Sequence, residues 1–254
     1  MRAEVNRARV LGVPVDCIDM DSAVRQCSEL ARNGLGGHVV TINPEMALEC
    51  GHDRELSDVI SAAQLVVPDG IGVVMALKML GWPHRGRVPG IELAEALMKD
   101  AAHHGGSVYL VGAKPGVAVE AARKMTERVS GLEVSGVQHG YFCDDEEERV
   151  LQAIGEAGPM YVFVGLGAGK QEKWISRARS AAPRAVWVGI GGSFDVMSGN
   201  LRRAPSAWQK LGLEWLYRLI QEPSRARRMI SLPRFMSAVA ADVIRGKGNR
   251  HMRS

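Results

Sequence analysis

Cysteine is sparse in this chain. Cys17, Cys27, Cys50 and Cys143 are scattered through 254 residues, and no two form a C-x-x-C pair. That usage reads as reduced, mostly structural thiols in a cytosolic protein. Met1–Val10 carries charges throughout and has no apolar central stretch, so no secretory signal is expected. No uncharged apolar run approaches the length of a transmembrane helix. There is no H-E-x-x-H, and His103-His104 has no ligand partner nearby in sequence, so a metal site is poorly supported. There is also no G-x-S-x-G, hence no serine nucleophile elbow. Internal repeats and low-complexity tracts are absent as well.

What is present is an ordinary hydrophobic content and an uneven charge. The formal net charge is +4. Residues 1–200 hold 20 basic and 25 acidic side chains, whereas residues 201–254 hold 12 basic and 3 acidic. A basic tail on a slightly acidic body implies an anionic partner, either nucleic acid or an anionic membrane surface.

Short β-branched runs alternate with helical patterns through residue 203. The strand candidates are Arg9–Val15, His38–Ile42, Leu65–Val67, Ser107–Val111, Glu133–Val137, Tyr161–Val164 and Ala185–Ile190. Eight helical patterns separate them: Ser22–Arg32, Pro44–Cys50, Arg54–Ala62, Ile71–Leu80, Ile91–His103, Val117–Val129, Glu146–Glu156 and Gln171–Ala181. The expected fold is α/β, a mostly parallel, Rossmann-like sheet covered by helices on both faces. Beyond residue 203 no further strand is expected. Pro205–Ile220 and Pro223–Arg245 read as helices, with a break at Glu222-Pro223 and a kink or split at Pro233. The expected division is therefore a catalytic body, 1–203, and a basic helical appendage, 204–254. Aromatics and arginines interleave in that appendage, which suits either a membrane interface or a helical pair packed on the body.

Gly165-Leu-Gly-Ala-Gly-Lys-Gln-Glu172 follows one strand and opens a helix. Such a turn brings backbone N–H groups up to a phosphate. Neither nucleotide fingerprint is complete. Lys170 stands where G-x-G-x-x-G needs its third glycine, and Gln171 follows the lysine where a phosphate loop has Ser or Thr. An ordinary tight turn, with Lys170 and Glu172 fixing the helix start, is an equal reading of the loop alone.

Other candidates also sit beyond strand ends, where open α/β sheets bind ligands. Asp69, in Val66-Val-Pro-Asp-Gly70, offers a general base or a turn aspartate. Thr41 and Asn43 offer sugar contacts or helix capping. Arg87, in Gly86-Arg-Val-Pro-Gly90, offers a partner for phosphate or carboxylate, or a solvated loop cation. Asp195, in a second glycine-rich strand exit, reads as a ribose contact or a cap. Tyr141 reads as a stacking platform or core packing. Asp19-Met-Asp21 has the D-x-D spacing of metal-dependent sugar transferases but opens a helical pattern, where capping is preferred.

In this order the pieces resemble the WecG/TagA/CpsF family of bacterial glycosyltransferases. The matching segments include Thr41-Ile-Asn-Pro-Glu45, Pro68-Asp-Gly-Ile-Gly72, Arg87-Val-Pro-Gly90, Tyr109-Leu-Val-Gly112, Gly140-Tyr-Phe142, Gly165-Leu-Gly167, Lys170-Gln-Glu-Lys-Trp174 and Gly191-Gly-Ser-Phe-Asp195. They continue through Arg203-Ala-Pro205, Gly212-Leu-Glu-Trp-Leu-Tyr-Arg218, Glu222-Pro223, Arg225 and Arg228. The likeness runs from about Val13 to Met236. One departure stands out: the family usually has proline before Lys-Gln-Glu, and here it is Gly169, which implies a freer loop.

The resemblance implies an inverting, metal-independent transfer that needs no cofactor. The donor would be a UDP-sugar, and the acceptor a saccharide on undecaprenyl diphosphate at the cytoplasmic face of the plasma membrane. Asp69 would be the base. Thr41, Asn43, Arg87 and Gln171 would contact the sugar. Tyr141, Asp195, Gly165 and Gly167 would meet the nucleotide. Arg218, Arg225 and Arg228 would reach the diphosphate as the tail closes over the site. The implied partners are the two substrates and an anionic membrane surface rather than nucleic acid, with self-association through the body. Against this stand two other readings: a nicotinamide-dependent oxidoreductase, and a nucleic-acid binder using the basic tail.

Overall fold

Side chains alternate between the two faces of a strand, so a strand covered on both sides must be apolar on both. Gly37–Ile42 meets that condition, with all six residues buried. The structure, a computed structural model, describes residues 6–83, 85–202, 204–205, 208, 214–221 and 231–246, without the side chains of residues 214, 215 and 218.

The chain opens with a hairpin, β1 (Arg7–Val10) and β2 (Val13–Asp16), paired antiparallel. This corrects the single strand expected over Arg9–Val15. Leu11 (φ 51°) and Gly12 (φ 84°) are both left-handed, as a two-residue turn matching strand twist requires. Leucine rarely takes that conformation, so the apolar run hides the turn. The hairpin seals the edge of the main sheet. Asp16 takes Arg7 on both oxygens, at 2.7 and 2.9 Å, and its Oδ2 also accepts the Val66 N–H at 2.7 Å. An edge N–H that would otherwise template another strand is thereby satisfied.

The main sheet has six parallel strands: β3 (Gly37–Ile42), β4 (Leu65–Pro68), β5 (Ser107–Gly112), β6 (Glu133–Gln138), β7 (Tyr161–Gly165) and β8 (Val186–Gly189). Their spatial order is β4-β3-β8-β7-β5-β6. One face is covered by α1 (Met20–Arg32), α5 (Gly90–His104), α6 (Val117–Arg128) and α9 (Ser193–Met197), packed on Val39, Leu110, Phe163 and Val188. The other face carries two clusters. Beneath β3 and β4 lie the hairpin, α2 (Pro44–Glu49), α3 (Arg54–Ser61), α4 (Ile71–Met79) and α11 (Ser231–Ile244). Beneath β5, β7 and β8 lie α7 (Asp144–Ala157) and α8 (Lys170–Ala178), where Trp174 packs on the fully buried Trp187. Each such large apolar side chain contributes about 1.5–3 kcal/mol by leaving water.

Capping follows the sequence. Asp19 accepts the Ser22 N–H at 2.8 Å and starts α1, as expected of that aspartate. Asn33 and the left-handed Gly34 end it. Most other element ends fall within three residues of expectation. In the C-terminal region α10 (Glu214–Gln221) and α11 appear where helices were expected. Pro233 is the third residue of α11; the expected break at Glu222-Pro223 lies outside the described residues. Phe235 and Val239 bury α11 against α2 and α4.

Candidate active site

The strand order places a crevice. Beyond β3 the chain turns to β4 on one side, while β8 lies against β3 on the other. Loops leaving the carboxyl ends of such strands diverge and leave room for a ligand. A cavity of about 300 Å³ lies there, lined by Thr41, Asn43, Asp69, Arg87, Gly167 and Gln171, among others. Six residues singled out from sequence therefore meet in one place. Thr41 and Asn43 come from the β3 exit, Asp69 from the β4 exit, and Gly167 and Gln171 from the β7 exit. Arg87 arrives from the loop before α5. Its neighbour Val88 donates a 2.8 Å backbone bond to Pro68 O, which lays that loop along the end of β4.

The remaining candidates lie elsewhere. Gly165 ends β7, where a Cβ would sit 2.7 Å from Gly191 O and from the Phe194 ring; it packs two strand exits together and does not line the cavity. Asp195 is in the first turn of α9, two residues beyond Ser193, which is in the lining. Tyr141 follows β6 at the far edge of the sheet and is 65 % exposed, so it is neither in the cavity nor in the core. Arg225 and Arg228, and the side chain of Arg218, lie outside the described residues.

Two lining residues already hold structural bonds. Thr41 is buried and donates from Oγ1 to Gly189 O at 2.8 Å. Asn43 accepts the Met46 N–H on Oδ1 at 3.0 Å and caps α2, with Pro44 at its first position. Its side-chain nitrogen takes no part in that cap. The capping half of the Asn43 reading thus holds in the geometry, and the same residue lines the cavity.

The charge balance of the cavity combines side chains and helix ends. Among the described residues, Asp69, Glu45 and Arg87 are its ionisable side chains. Glu45 belongs to the Thr41–Glu45 motif, and nothing local in the sequence marks it as a cavity residue. Helices α2, α4, α5, α8 and α9 all begin at the cavity. The N-cap residues of α4 and α5, Gly70 and Pro89, make no side-chain cap, and the first turns bring their N–H groups and the positive end of each helix dipole to the cavity. Leu219 of α10 and Ser231 and Leu232 of α11 complete the wall. Leu232 fits there because Gly72 has no Cβ; one would come within 2.7 Å of its Cδ1.

The loop into α8 is held by Glu172. Its Oε2 accepts the Gly169 N–H at 2.7 Å, a helix-start role the sequence already offered. Its Oε1 accepts from Gln171 Nε2 at 2.7 Å. Burial pushes the Glu172 carboxyl up to about 7 against the downward pull of these bonds. Burial also raises Glu49, with Asp53 and Glu45 adding like charge.

Residues 8–249 match the model of the glycosyl transferase WecG/TagA/CpsF family. The chain belongs to the WecG/TagA/CpsF family. It is a glycosyltransferase. A protein of Bacillus spizizenii strain W23 is 41 % identical over 204 residues, which cover 80 % of this chain and 79 % of that protein. One of Bacillus subtilis strain 168 is 38 % identical over 205 residues, covering 81 % and 79 %. Both are named N-acetylglucosaminyldiphosphoundecaprenol N-acetyl-beta-D-mannosaminyltransferase. The family match extends through α10 and α11, the helices that wall this glycosyltransferase's cavity. Among the described residues, no helix is long and apolar enough to cross a membrane.

Proposed function

We propose that this glycosyltransferase moves N-acetylmannosamine from a UDP-sugar to N-acetylglucosamine carried on a polyprenyl diphosphate, with inversion at the sugar carbon. The observation that carries this reading is the meeting of Asp69 and Arg87 in one cavity with the starts of α4 and α5. A transfer of this kind needs a base on one side of the sugar and positive charge on the other.

In the proposed reaction the acceptor hydroxyl attacks the anomeric carbon directly. Asp69 takes the hydroxyl proton as the new C–O bond forms. The bond from the sugar to the diphosphate breaks, and UDP leaves with the electron pair. Arg87 and the N–H groups at the starts of α4 and α5 meet the growing negative charge. Direct displacement, with no covalent intermediate, gives inversion. Arg218, Arg225 and Arg228 are assigned to the diphosphate by the family resemblance. Residues 204–254 would act as an appendage that closes the cavity, a reading supported by Leu219, Ser231 and Leu232 in its wall. The tail's basic balance also suits peripheral contact with an anionic membrane on the cytoplasmic face, where a lipid-linked acceptor resides.

The test is a donor screen. The protein is mixed with a soluble diphosphate-lipid N-acetylglucosamine analogue and a panel of UDP-sugars, and products are read by mass spectrometry. A mass gain of one N-acetylhexosamine from UDP-N-acetylmannosamine is expected. Transfer from another donor alone would overturn the sugar assignment, and no transfer from any donor would overturn the reaction.

A further inference from the structure

The cavity wall at Gln171 is held from behind by a carboxylate that solvent does not reach. Glu172 is 0 % exposed and Gln171 only 1 %. The Glu172 carboxylate receives two N–H groups, from Gly169 and from the Gln171 side chain, each at 2.7 Å. Gln171 passes the constraint on: its Oε1 accepts the Gly191 N–H at 2.9 Å. Gln171 and Gly191 both line the cavity. The three bonds form a relay from the start of α8 to the exit of β8. The fit is close, because a Cβ on Gly189 would lie 2.7 Å from both Gln171 Nε2 and Glu172 Oε1.

We propose that Glu172 is a positioning residue of the transfer site: as a carboxylate it fixes the Gln171 amide and, through it, the Gly191 loop, and its protonation releases that wall. The inference rests on the reading of the cavity as the transfer site. A carboxylate only accepts hydrogen bonds, so it dictates that the Gln171 nitrogen faces it and the Gln171 oxygen faces Gly191. A carboxylic acid keeps one good acceptor and needs an acceptor for its own proton. One of the two N–H partners must then move, and the amide orientation is no longer dictated.

The surroundings place this exchange within reach of ordinary pH. Burial is the main cause of the upward shift of Glu172 to about 7, and the Glu49 charge adds to it. Glu49, at the end of α2, puts both carboxylate oxygens 3.1 Å from where a Gly169 Cβ would stand. Beside it Cys50 feels the Glu172 charge. Lys173 of α8 is bonded to Asp53 and Glu55 at 2.6 and 2.9 Å, directed to α3 and its cap. His38 of β3 interacts with Arg179, which follows the other end of α8. Glu172 therefore faces mostly acidic or apolar neighbours, which favours a proton.

Two measurements on the full chain test this. The first needs no substrate. Hydrogen exchange at the Gly169 and Gly191 amides is followed from about pH 8 to about pH 6, corrected for the intrinsic rate. Protection at both should fall together, by about 10-fold, while Val162 and Val188 in the sheet stay protected. Constant protection at Gly191 overturns the proposal. The second measures turnover. Glu172→Gln should raise the donor KM about 10-fold with kcat within about 3-fold, and remove the acid limb expected of the wild type near pH 7. Glu172→Asp should restore part of that limb. A Glu172→Gln enzyme with wild-type KM and pH profile also overturns the proposal. If that variant does not fold, the wild-type exchange series decides. If the wild type transfers no sugar, the reaction assignment fails and the exchange series still decides the role of Glu172.

Discussion

Thr41 Oγ1 donates a 2.8 Å hydrogen bond to the carbonyl oxygen of Gly189, joining the exits of β3 and β8 across 148 positions of chain. Thr41 lines the cavity, and Gly189 directly precedes the lining residue Ile190. Thr41→Val keeps the volume and leaves that carbonyl short of a donor. A loss of about 2 kcal/mol is expected, a fall in Tm of roughly 4–8 °C for a chain of this size. Thermal unfolding reads it directly; an unchanged Tm would show that the bond contributes nothing net.

Asp69 sits where its backbone N–H extends the β4 ladder, donating to Ile42 O at 2.8 Å. That contact is independent of the side chain. Asp69→Asn should therefore fold normally and bind donor within about 3-fold of wild type, while kcat falls by at least about 100-fold. Single-turnover transfer and calorimetric titration with the UDP-sugar separate the two effects. Turnover within tenfold of wild type would remove Asp69 from the role of base.

Arg87 offers a planar fork, and lysine in its place offers a single point charge. If Arg87 meets phosphate oxygens, Arg87→Lys should weaken UDP binding about 10-fold and Arg87→Ala about 100-fold. Equal affinities for UDP in all three proteins would sink the assignment.

Much of this fold can be read from the chain. Gly37–Ile42 and Tyr161–Gly165 announce themselves as short β-branched runs ended by turn residues, and Asp19 and Asn43 as caps. What escapes is long-range. The hairpin turn at Leu11-Gly12 hides behind an apolar pattern. Nothing local says that Val88 will bond Pro68 and carry Arg87 to the cavity that Asp69 lines. Strand order decides which loops are neighbours, and it has no period to read. Tyr141, three strands from β8, ends far from the cavity for that reason. The Gln171 amide looks like a ligand contact in sequence, yet the structure gives it protein partners at both ends, Glu172 and Gly191.

Glu172 also predicts an unusual pH dependence of stability. Its carboxyl is raised from 4.5 to about 7 on folding. The folded state therefore holds its proton more tightly than the unfolded state. The stability this group contributes is full below about pH 4.5 and is lost as pH rises through 7, a change of about 3 kcal/mol. Glu172→Gln has no such ionisation. Between about pH 4.5 and pH 8, wild type should lose about 3 kcal/mol relative to that variant in urea titrations. A constant difference would mean that Glu172 is not raised in the folded protein.

Gly169 stands where the resembling family usually has proline, and here the structure uses glycine for two separate reasons. Its backbone is at φ 78° and ψ −55°, and its N–H donates to Glu172 at 2.7 Å. Alanine keeps the N–H but strains the left-handed turn, and its Cβ meets the Glu49 oxygens at 3.1 Å. Gly169→Ala should cost about 1–2 kcal/mol. Proline fixes φ near −65° and removes the donor, so Gly169→Pro should cost about 3 kcal/mol or more. The excess of proline over alanine contains the charge-assisted bond to Glu172. That excess should shrink at about pH 5, where Glu172 is neutral and the bond loses its charge. Denaturant titrations of the three proteins at about pH 5 and pH 8 measure it. Equal costs for alanine and proline at both values would show that the Gly169 N–H is not what holds the turn.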